Sequence, residues 1–205
     1  LSSNVASPGQ LVEHAVNPTA TSTNPTLGYT IVPASAEVTY SNAAGIRGWS
    51  INQRLAAGER SIFDPFILSS FAVFNTTAPS NSSAGDPCMA VSTRSFLYFL
   101  YPSTGKMAPY PLFDTSGDGI VDATDRPVGV VEIASDGGKT EPFKPCFGSK
   151  CPCTGVNCDQ PSPCGPGTSA YGVLTNKASA ITCMASGYNI RTWQQLQNFP
   201  KKVRQ

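Results

Sequence analysis

The strongest strand patterns in the chain are Phe66-Ile-Leu-Ser-Ser-Phe-Ala-Val-Phe-Asn75 and Ser95-Phe-Leu-Tyr-Phe-Leu-Tyr101. Aromatic and aliphatic side chains dominate both stretches. A strand with one face in water alternates apolar and polar residues, whereas these stretches are apolar on both faces. We therefore predict two strands that are each covered by other sheets on both sides.

Shorter strand patterns on either side of this pair indicate a mainly β fold. The chain has 18 Gly and 18 Pro, and only 13% of its residues are charged, which is typical of many turns between short strands. No amphipathic helix pattern is longer than about three turns. The further strands are predicted at residues 28–33, 48–52, 129–134, 170–174 and 180–183, and residues 37–55 resemble a hairpin.

Composition and charge exclude several classes of protein. The formal net charge is +1, whereas a nucleic-acid-binding surface would carry a basic patch or stripe. No apolar run approaches the roughly 20 residues of a transmembrane helix. The first residues have neither the basic start nor the apolar core of a signal peptide. We therefore expect no transmembrane segment, and an exported protein of this sequence would be a mature form or a fragment.

The chain divides by composition into two parts. Residues 1–36 are rich in Ser, Thr, Asn, Pro and Ala and poor in charge, which predicts a linker or a surface excursion. Residues 37–205 are predicted to form the β domain, with a cysteine-rich insertion at residues 139–168. His14 lies in the first part, where we predict an incidental surface position. Because no nucleophile, phosphate-loop or dinucleotide motif is present, we predict no catalytic residue and a protein that is not an enzyme.

The cysteines point to an oxidising compartment. Six of the seven lie close together in a segment rich in Gly and Pro, which has too few apolar residues to build its own core. Zinc is the alternative, but the cluster has no C-x-x-C pair and no histidine. We predict disulfide bonds, and we expect Cys88 to pair outside the chain. The cysteines of the predicted disulfides are Cys146, Cys151, Cys153, Cys158, Cys164 and Cys183.

The segment Asp114-Thr-Ser-Gly-Asp-Gly-Ile-Val-Asp-Ala-Thr-Asp125 has the spacing of a calcium-binding loop. Oxygen-bearing side chains occupy positions 1, 3, 5, 9 and 12, and Gly119 stands at position 6, where such a loop turns sharply. A set of hard oxygen ligands of this number suits Ca²⁺ better than Mg²⁺. The predicted ligands are the side chains of Asp114, Ser116, Asp118, Asp122 and Asp125, and the backbone carbonyl of Ile120.

Two residues depart from the usual loop pattern. Ser116 replaces Asp or Asn, and Asp125 replaces a longer bidentate Glu, so the site is weakened or a ligand is replaced by water. The alternative is a solvated acidic turn. Its four carboxylates would repel one another, and no bound ion would offset that repulsion. Two prolines in residues 109–113 would break an incoming helix. We therefore predict a calcium loop that joins two β elements.

Short motifs follow one another in a characteristic order around this loop. They are Leu11-Val-Glu13, Gly48-Trp-Ser-Ile51, Gly58-Glu-Arg-Ser-Ile-Phe-Asp-Pro65, Asp86-Pro-Cys88, Ser103-Thr-Gly105, Ala134-Ser-Asp-Gly137 and Arg191-Thr-Trp-Gln-Gln-Leu196. In this order they resemble the C-terminal region of the PilC/PilY family, the tip-located adhesins associated with type IV pili of Gram-negative bacteria. The match covers residues 11–196, with a gap at the cysteine-rich insertion.

The resemblance implies a fold, a function and a location. It implies the C-terminal blades of a modified β-propeller, and a non-enzymatic, calcium-dependent role in pilus extension, retraction and adhesion. The implied partners are major or minor pilins and a host or abiotic surface. The implied location is the pilus tip at the cell surface, reached by export through the periplasm. The family's loops match best over the first nine positions, which contain all the predicted ligands except Asp125.

Two other functional classes remain open from the sequence. One is a calcium-stabilised accessory module of a secreted enzyme, such as a dockerin or a quinoprotein propeller piece. A dockerin would need a second calcium loop roughly 20 to 30 residues away, and the chain contains one such loop. The other class is a structural protein of a fibre or surface layer.

Overall fold

The computed structural model describes residues 10–18, 29–33, 38, 40, 45–52, 55–79, 93–133, 141–143, 147, 161–166, 168–174, 179–185 and 190–191. Within these residues the secondary structure consists of β-strands in two sheets, without an α-helix. The same residues include no helix long and apolar enough to cross a membrane. The predicted mainly β class is therefore confirmed.

The larger sheet has eight strands in the order β11-β4-β5-β6-β7-β2-β1-β3. Its neighbouring strands are antiparallel, except that β1 and β3 run parallel. Its strands are β1 (Leu11–Pro18), β2 (Tyr29–Pro33), β3 (Gly48–Asn52), β4 (Phe66–Leu68), β5 (Phe71–Pro79), β6 (Thr93–Leu100), β7 (Val130–Ile133) and β11 (Ile190–Arg191).

The smaller sheet is antiparallel and has the strand order β10-β9-β8. It consists of β8 (Glu141–Phe143), β9 (Thr168–Leu174) and β10 (Ser179–Ala185). Strand β8 lies in the predicted cysteine-rich insertion, so part of that insertion is a strand of this sheet. The predicted strands at residues 170–174 and 180–183 are confirmed.

Strand β6 is buried on both faces, as its sequence predicts. Leu97 and Phe99 face a core that includes Tyr171, Val173 and Met184 of the smaller sheet. On the opposite face a second core surrounds Phe96, Tyr98 and Leu100. Side chains of β1 and β3, which belong to the same sheet, pack on this second core together with Leu55 and Ala56. The larger sheet therefore curls so that its far edge covers part of its own centre.

A carboxylate secures the segment that covers this second face. Glu59 accepts hydrogen bonds from the hydroxyl groups of Thr76 and Tyr98, each at 2.6 Å, and from the backbone N–H of Leu55 at 2.8 Å. Tyr98 is fully buried and stacks on Phe74 with ring centroids 4.8 Å apart. Since a buried hydroxyl without a partner is costly, Glu59 both satisfies the core tyrosine and holds the covering segment in place.

The prediction of one strand over residues 66–75 is wrong. Leu68 pairs with Phe71, so Ser69 and Ser70 form a two-residue turn between β4 and β5. Ser69 has a φ of 57°, and two-residue hairpin turns require a positive φ at their first central residue. The apolar pattern continues across the turn because the side chains on both sides of it enter the same core.

The strand predicted at residues 28–33 is β2, whereas residues 11–18 form β1, a strand that the sequence analysis did not predict within the linker. The predicted surface position of His14 is also wrong, since its side chain is fully buried in β1. The predicted strand at residues 48–52 is β3, which pairs in parallel with β1. The structure describes few other residues of the predicted linker. It also leaves out half of residues 37–40, the expected partner strand in the predicted hairpin.

Three side chains hold the turn that follows β6. The indole N–H of Trp49 donates to the carbonyl of Pro102, Nε2 of His14 donates to that of Thr104, and the hydroxyl of Tyr40 donates to that of Ser103. Gly105 has a φ of +68°, and a Cβ there would lie 2.5 Å from Trp49 and 2.7 Å from His14. Only glycine therefore allows the turn to approach β1 and β3 this closely.

Replacement of Phe99 by alanine tests the packing of β6. The ring is fully buried and meets Phe113 edge-on at a centroid distance of 5.0 Å. We expect Phe99→Ala to lower the free energy of unfolding by about 3–5 kcal/mol in urea denaturation, because it leaves a cavity. Ile62→Ala is the control, since Ile62 is 62% exposed, and its effect is expected within about 0.5 kcal/mol. Equal effects of the two substitutions would contradict the assigned core.

Candidate calcium site

The predicted calcium loop lies in the connection between the adjacent strands β6 and β7. Phe113 precedes it and is buried in the core that the two sheets share, and Val128 follows it in the same core. Residues 116–120 and 122–124 are exposed to solvent. The loop therefore joins two β elements, as predicted, and both its ends are anchored in apolar packing while its middle faces water.

Asp114 organises the first half of the loop. Its Oδ1 accepts the N–H of Gly117 at 2.6 Å and the hydroxyl of Ser116 at 3.2 Å, and its Oδ2 accepts the N–H of Gly119 at 2.7 Å. Gly119 has a φ of +87°, so the sharp turn predicted at position 6 is present. The chain here wraps around one carboxylate, which leaves one lone pair of Oδ2 for a further partner.

Asp118 and Asp122 make similar but smaller turns. Oδ1 of Asp118 accepts the N–H of Ile120 at 2.8 Å, and Oδ1 of Asp122 accepts both the N–H and the hydroxyl of Thr124 at 2.7 Å. The N–H of Thr124, followed by its hydroxyl, lowers the pKa of Asp122 below its ordinary value of 3.8. These two bonds therefore favour the charged form of Asp122.

Asp125 has a different environment from the other three aspartates. It is only 5% exposed, and its Oδ1 accepts the N–H groups of Thr115 at 2.7 Å and Ser116 at 2.9 Å. Its Oδ2 accepts the N–H of Asp122 at 2.9 Å. The hydroxyl of Thr115 then accepts the N–H of Arg126 at 2.7 Å. Asp125 thus holds the start and the end of the loop together through backbone bonds.

The donor atoms suit a hard cation, but the side chains do not converge on one point. Among the residues that the structure describes, no group of three or more His, Cys, Asp or Glu side chains is arranged to hold a metal ion. The loop carboxylates turn towards backbone N–H groups instead. Ser116 and Ile120 lie on the exposed part of the loop, together with Asp118 and Asp122. The predicted ligands therefore lie on one turned loop, each carboxylate with lone pairs that hydrogen bonds leave unused.

A disulfide bond lies next to this loop. The sequence did not predict that the two features are adjacent. Cys164 and Cys183 are bonded, with Cα atoms 5.4 Å apart. Val121 of the loop donates its N–H to the carbonyl of Pro163 at 2.9 Å and forms a parallel bridge with Cys164. On the other side, Cys183 in β10 donates its N–H to the carbonyl of Leu112 at 3.2 Å.

This pair is the part of the disulfide prediction that falls within the described residues. Its two cysteines were both among the six predicted to form disulfides. The structure does not describe Cys88 or the other four predicted cysteines. Those four are Cys146, Cys151, Cys153 and Cys158. No spacing signal in the sequence connects Cys164 with Val121, because the bridge between them depends on the path of the chain between residues 121 and 164.

A comparison with solved structures finds a similar fold. The fold is similar to that of the Pseudomonas aeruginosa PilY1 C-terminal domain. The chain superposes on that crystal structure with a TM-score of 0.53 and 15% sequence identity, over 87% of its own residues. It spans about a third of the solved chain, namely 32%. No protein-family model matches the sequence, and no curated protein matches it significantly.

Substitution of Asp125 tests its part in the loop. Asp125→Asn replaces an acceptor oxygen with an NH₂ group and removes the charge, so at least one N–H of the loop loses its partner. We expect the free energy of unfolding, measured with a calcium chelator present, to fall by about 1–3 kcal/mol. The amides of Thr115, Ser116 and Asp122 should exchange hydrogen faster. Asp64→Asn is the control, because Asp64 is exposed.

A loss of stability in Asp125→Asn no larger than that in Asp64→Asn would contradict this role. The same conclusion would follow if the exchange rates of the loop amides were unchanged.

Proposed function

We propose that this protein is a non-enzymatic, calcium-binding component of type IV pili that acts in pilus assembly, retraction and adhesion. The observation that carries the proposal is the likeness of its fold to the PilY1 C-terminal domain over 87% of the chain. The same region carries the ordered motifs that resemble the PilC/PilY family. A loop with calcium-ligand spacing lies between two strands of this fold.

The loop residues fit Ca²⁺ in their chemistry. Calcium takes about six to eight oxygen ligands and tolerates irregular geometry. Asp114, Asp118 and Asp122 supply carboxylate oxygens, Ser116 supplies a hydroxyl group, and Ile120 supplies a backbone carbonyl. Coordination requires the carboxylates to turn unused lone pairs towards a common centre. The exposure of Asp118 and Asp122 allows this rotation, while Asp114 is half-buried and held by loop hydrogen bonds.

Asp125 has less capacity for a metal than the other aspartates, because backbone N–H groups occupy both of its oxygens. We propose that the ligands come mainly from the first nine loop positions. Asp125 then contributes either one remaining lone pair or a water-mediated contact. This assignment agrees with the region over which the family's loops match best.

Calcium would act on the loop rather than on the fold. The described residues around the loop include no helix pair for the ion to open. Bound calcium would neutralise part of the negative charge and order the exposed residues between their buried ends. Its effect on stability follows mass action, about 2.7 kcal/mol at a hundredfold excess over the dissociation constant.

The pilus role extends to partners and location. In this proposal the chain forms the C-terminal blades of a modified β-propeller at the pilus tip, where it contacts pilins and a host or abiotic surface. The disulfide between Cys164 and Cys183 agrees with export through an oxidising periplasm. An accessory module of an enzyme or a fibre protein remains the alternative, and the likeness to the PilY1 domain favours the pilus role.

Asp118→Ala tests the calcium site. Asp118 lies at the centre of the ligand spacing, and its side chain makes one loop hydrogen bond, to Ile120. We expect one calcium ion per wild-type chain, a dissociation constant in the micromolar to sub-millimolar range, of order 10⁻⁶ to 10⁻³ M, and no stoichiometric binding to the variant in isothermal titration calorimetry. Asp64→Ala should bind like the wild type, since Asp64 is an exposed aspartate outside the loop. Calcium binding by Asp118→Ala equal to that of the wild type would show that the assigned site is wrong.

The pilus role needs a test in cells. A strain that lacks the gene is complemented with the wild type, Asp118→Ala or Asp64→Ala, and surface pili and twitching motility are measured with equal protein levels. We expect the deletion to change piliation or motility, the wild type and Asp64→Ala to restore it, and Asp118→Ala to fail in calcium-dependent control. A deletion without effect on pili would contradict the proposal, whatever the loop binds.

A further inference from the structure

The disulfide and the loop form a closed path of bonds. Leu112, two residues before Asp114, accepts the N–H of Cys183. Cys183 is bonded to Cys164, whose neighbour Pro163 accepts the N–H of Val121. Val121 immediately precedes the predicted ligand Asp122. The path therefore leaves the chain at Leu112, just before the first ligand position. It rejoins the chain at Val121, just before the ninth position.

The two cysteines of the disulfide differ in how deeply they are buried. Cys183 is 5% exposed in β10, and the neighbouring Met184 is buried in the core shared by the two sheets. Cys164 lies in the segment of residues 161–166, which is at most half-buried. The disulfide thus attaches a peripheral segment to a core strand. Through that segment, the hydrogen bond between Val121 and Pro163 restrains the exposed half of the loop.

We propose that the Cys164–Cys183 disulfide is a brace that preorganises the calcium loop, so that the oxidation state of this pair sets the calcium affinity. The inference rests on the proposed calcium function. With the brace intact, Val121 and Leu112 are both attached to β10, and the ligand positions between them are confined before the ion arrives. Without it, calcium must order the loop as it binds, and part of the binding free energy is spent on that ordering.

The redox step is a thiol–disulfide exchange. A dithiol reductant supplies two electrons and two protons, the S–S bond breaks, Cys164 and Cys183 become thiols, and the reductant becomes a cyclic disulfide. By linkage, calcium must shift this equilibrium towards the disulfide by the same factor by which the disulfide raises the calcium affinity.

The double substitution Cys164→Ser and Cys183→Ser tests the brace in the full chain. We expect the Val121 amide to exchange hydrogen at least about tenfold faster, and the calcium dissociation constant to rise about tenfold. The amide of Phe99 is the internal control, since it donates to Gly129 within the large sheet. Its exchange should change far less than that of Val121.

Val173→Ala is the matched control for a general loss of stability. Val173 is fully buried in β9, where it pairs with Ala180 of β10, whereas Cys183 pairs with Ala170. We expect this variant to melt at a lower temperature and to bind calcium within about twofold of the wild type. A rise in its dissociation constant equal to that of the double variant would mean that global destabilisation causes the effect, and would overturn the brace.

The outcomes separate the two proposals. If the wild type binds no calcium, the proposed function fails, and the exchange of the Val121 amide still decides whether the disulfide braces the loop. If the wild type binds calcium and the double variant keeps the wild-type affinity or Val121 protection, the brace is wrong and the calcium site stands.

A second measurement covers the case in which the double variant does not fold. Wild-type protein is equilibrated with dithiothreitol with and without saturating calcium, and the reduced fraction of the pair is read by alkylation and mass spectrometry. We expect calcium to shift the equilibrium of Cys164–Cys183 towards the disulfide by about tenfold, the same factor by which the disulfide raises the calcium affinity. If saturating calcium leaves the reduced fraction of Cys164–Cys183 unchanged, the disulfide and calcium binding are not coupled.

Discussion

The burial of β6 on both faces is the constraint on which the rest of this structure depends. A strand with apolar side chains on both sides needs two covers, and hydrophobic burial makes each cover favourable. The smaller sheet supplies one, through side chains such as Val173 and Met184. The larger sheet supplies much of the other by curling until Trp49 and Ile51 of β3 reach the opposite face. The layer arrangement follows from one strand that cannot face water.

The curled sheet creates a second requirement, because polar groups are carried into the contact. The hydroxyl of Tyr98 needs a hydrogen-bond partner once water is excluded, and the carbonyl groups that follow β6 offer acceptors to side chains of β1 and β3. Glu59 satisfies the tyrosine, and His14 and Trp49 satisfy carbonyls of the turn. These bonds connect residues that are far apart in sequence, so they stabilise the curl as well as satisfying the polar groups.

The candidate site inherits its geometry from the same core. Phe113 and Val128 fix the ends of the connection between β6 and β7, and the smaller sheet that covers β6 also brings Cys183 close to Leu112. The exposed aspartates are therefore held by a rigid base while their oxygens stay in water. Such an arrangement suits a site that binds an ion without reorganising the fold, because only the exposed residues between the buried ends have to be ordered on binding.

Elements whose signals are local could be predicted from the residues alone. The apolar residues from Ser95 to Tyr101 predicted a strand buried on both faces, and the spacing from Asp114 to Asp125 predicted a turned, oxygen-rich loop between strands, with Gly119 at its sharp turn. Both signals depend on residues within one element, where side-chain direction follows directly from backbone geometry.

Only the tertiary structure decided which distant residues meet. It buried His14, paired β1 in parallel with β3, divided residues 66–75 at Ser69, and placed Cys164 beside Val121. It also turned Asp125 inwards as the acceptor that closes the loop. A single sequence carries little signal for such contacts, because they depend on how the chain closes over long separations and on which faces remain to be covered. Local spacing therefore specified the loop, and the packing around β6 decided what holds it.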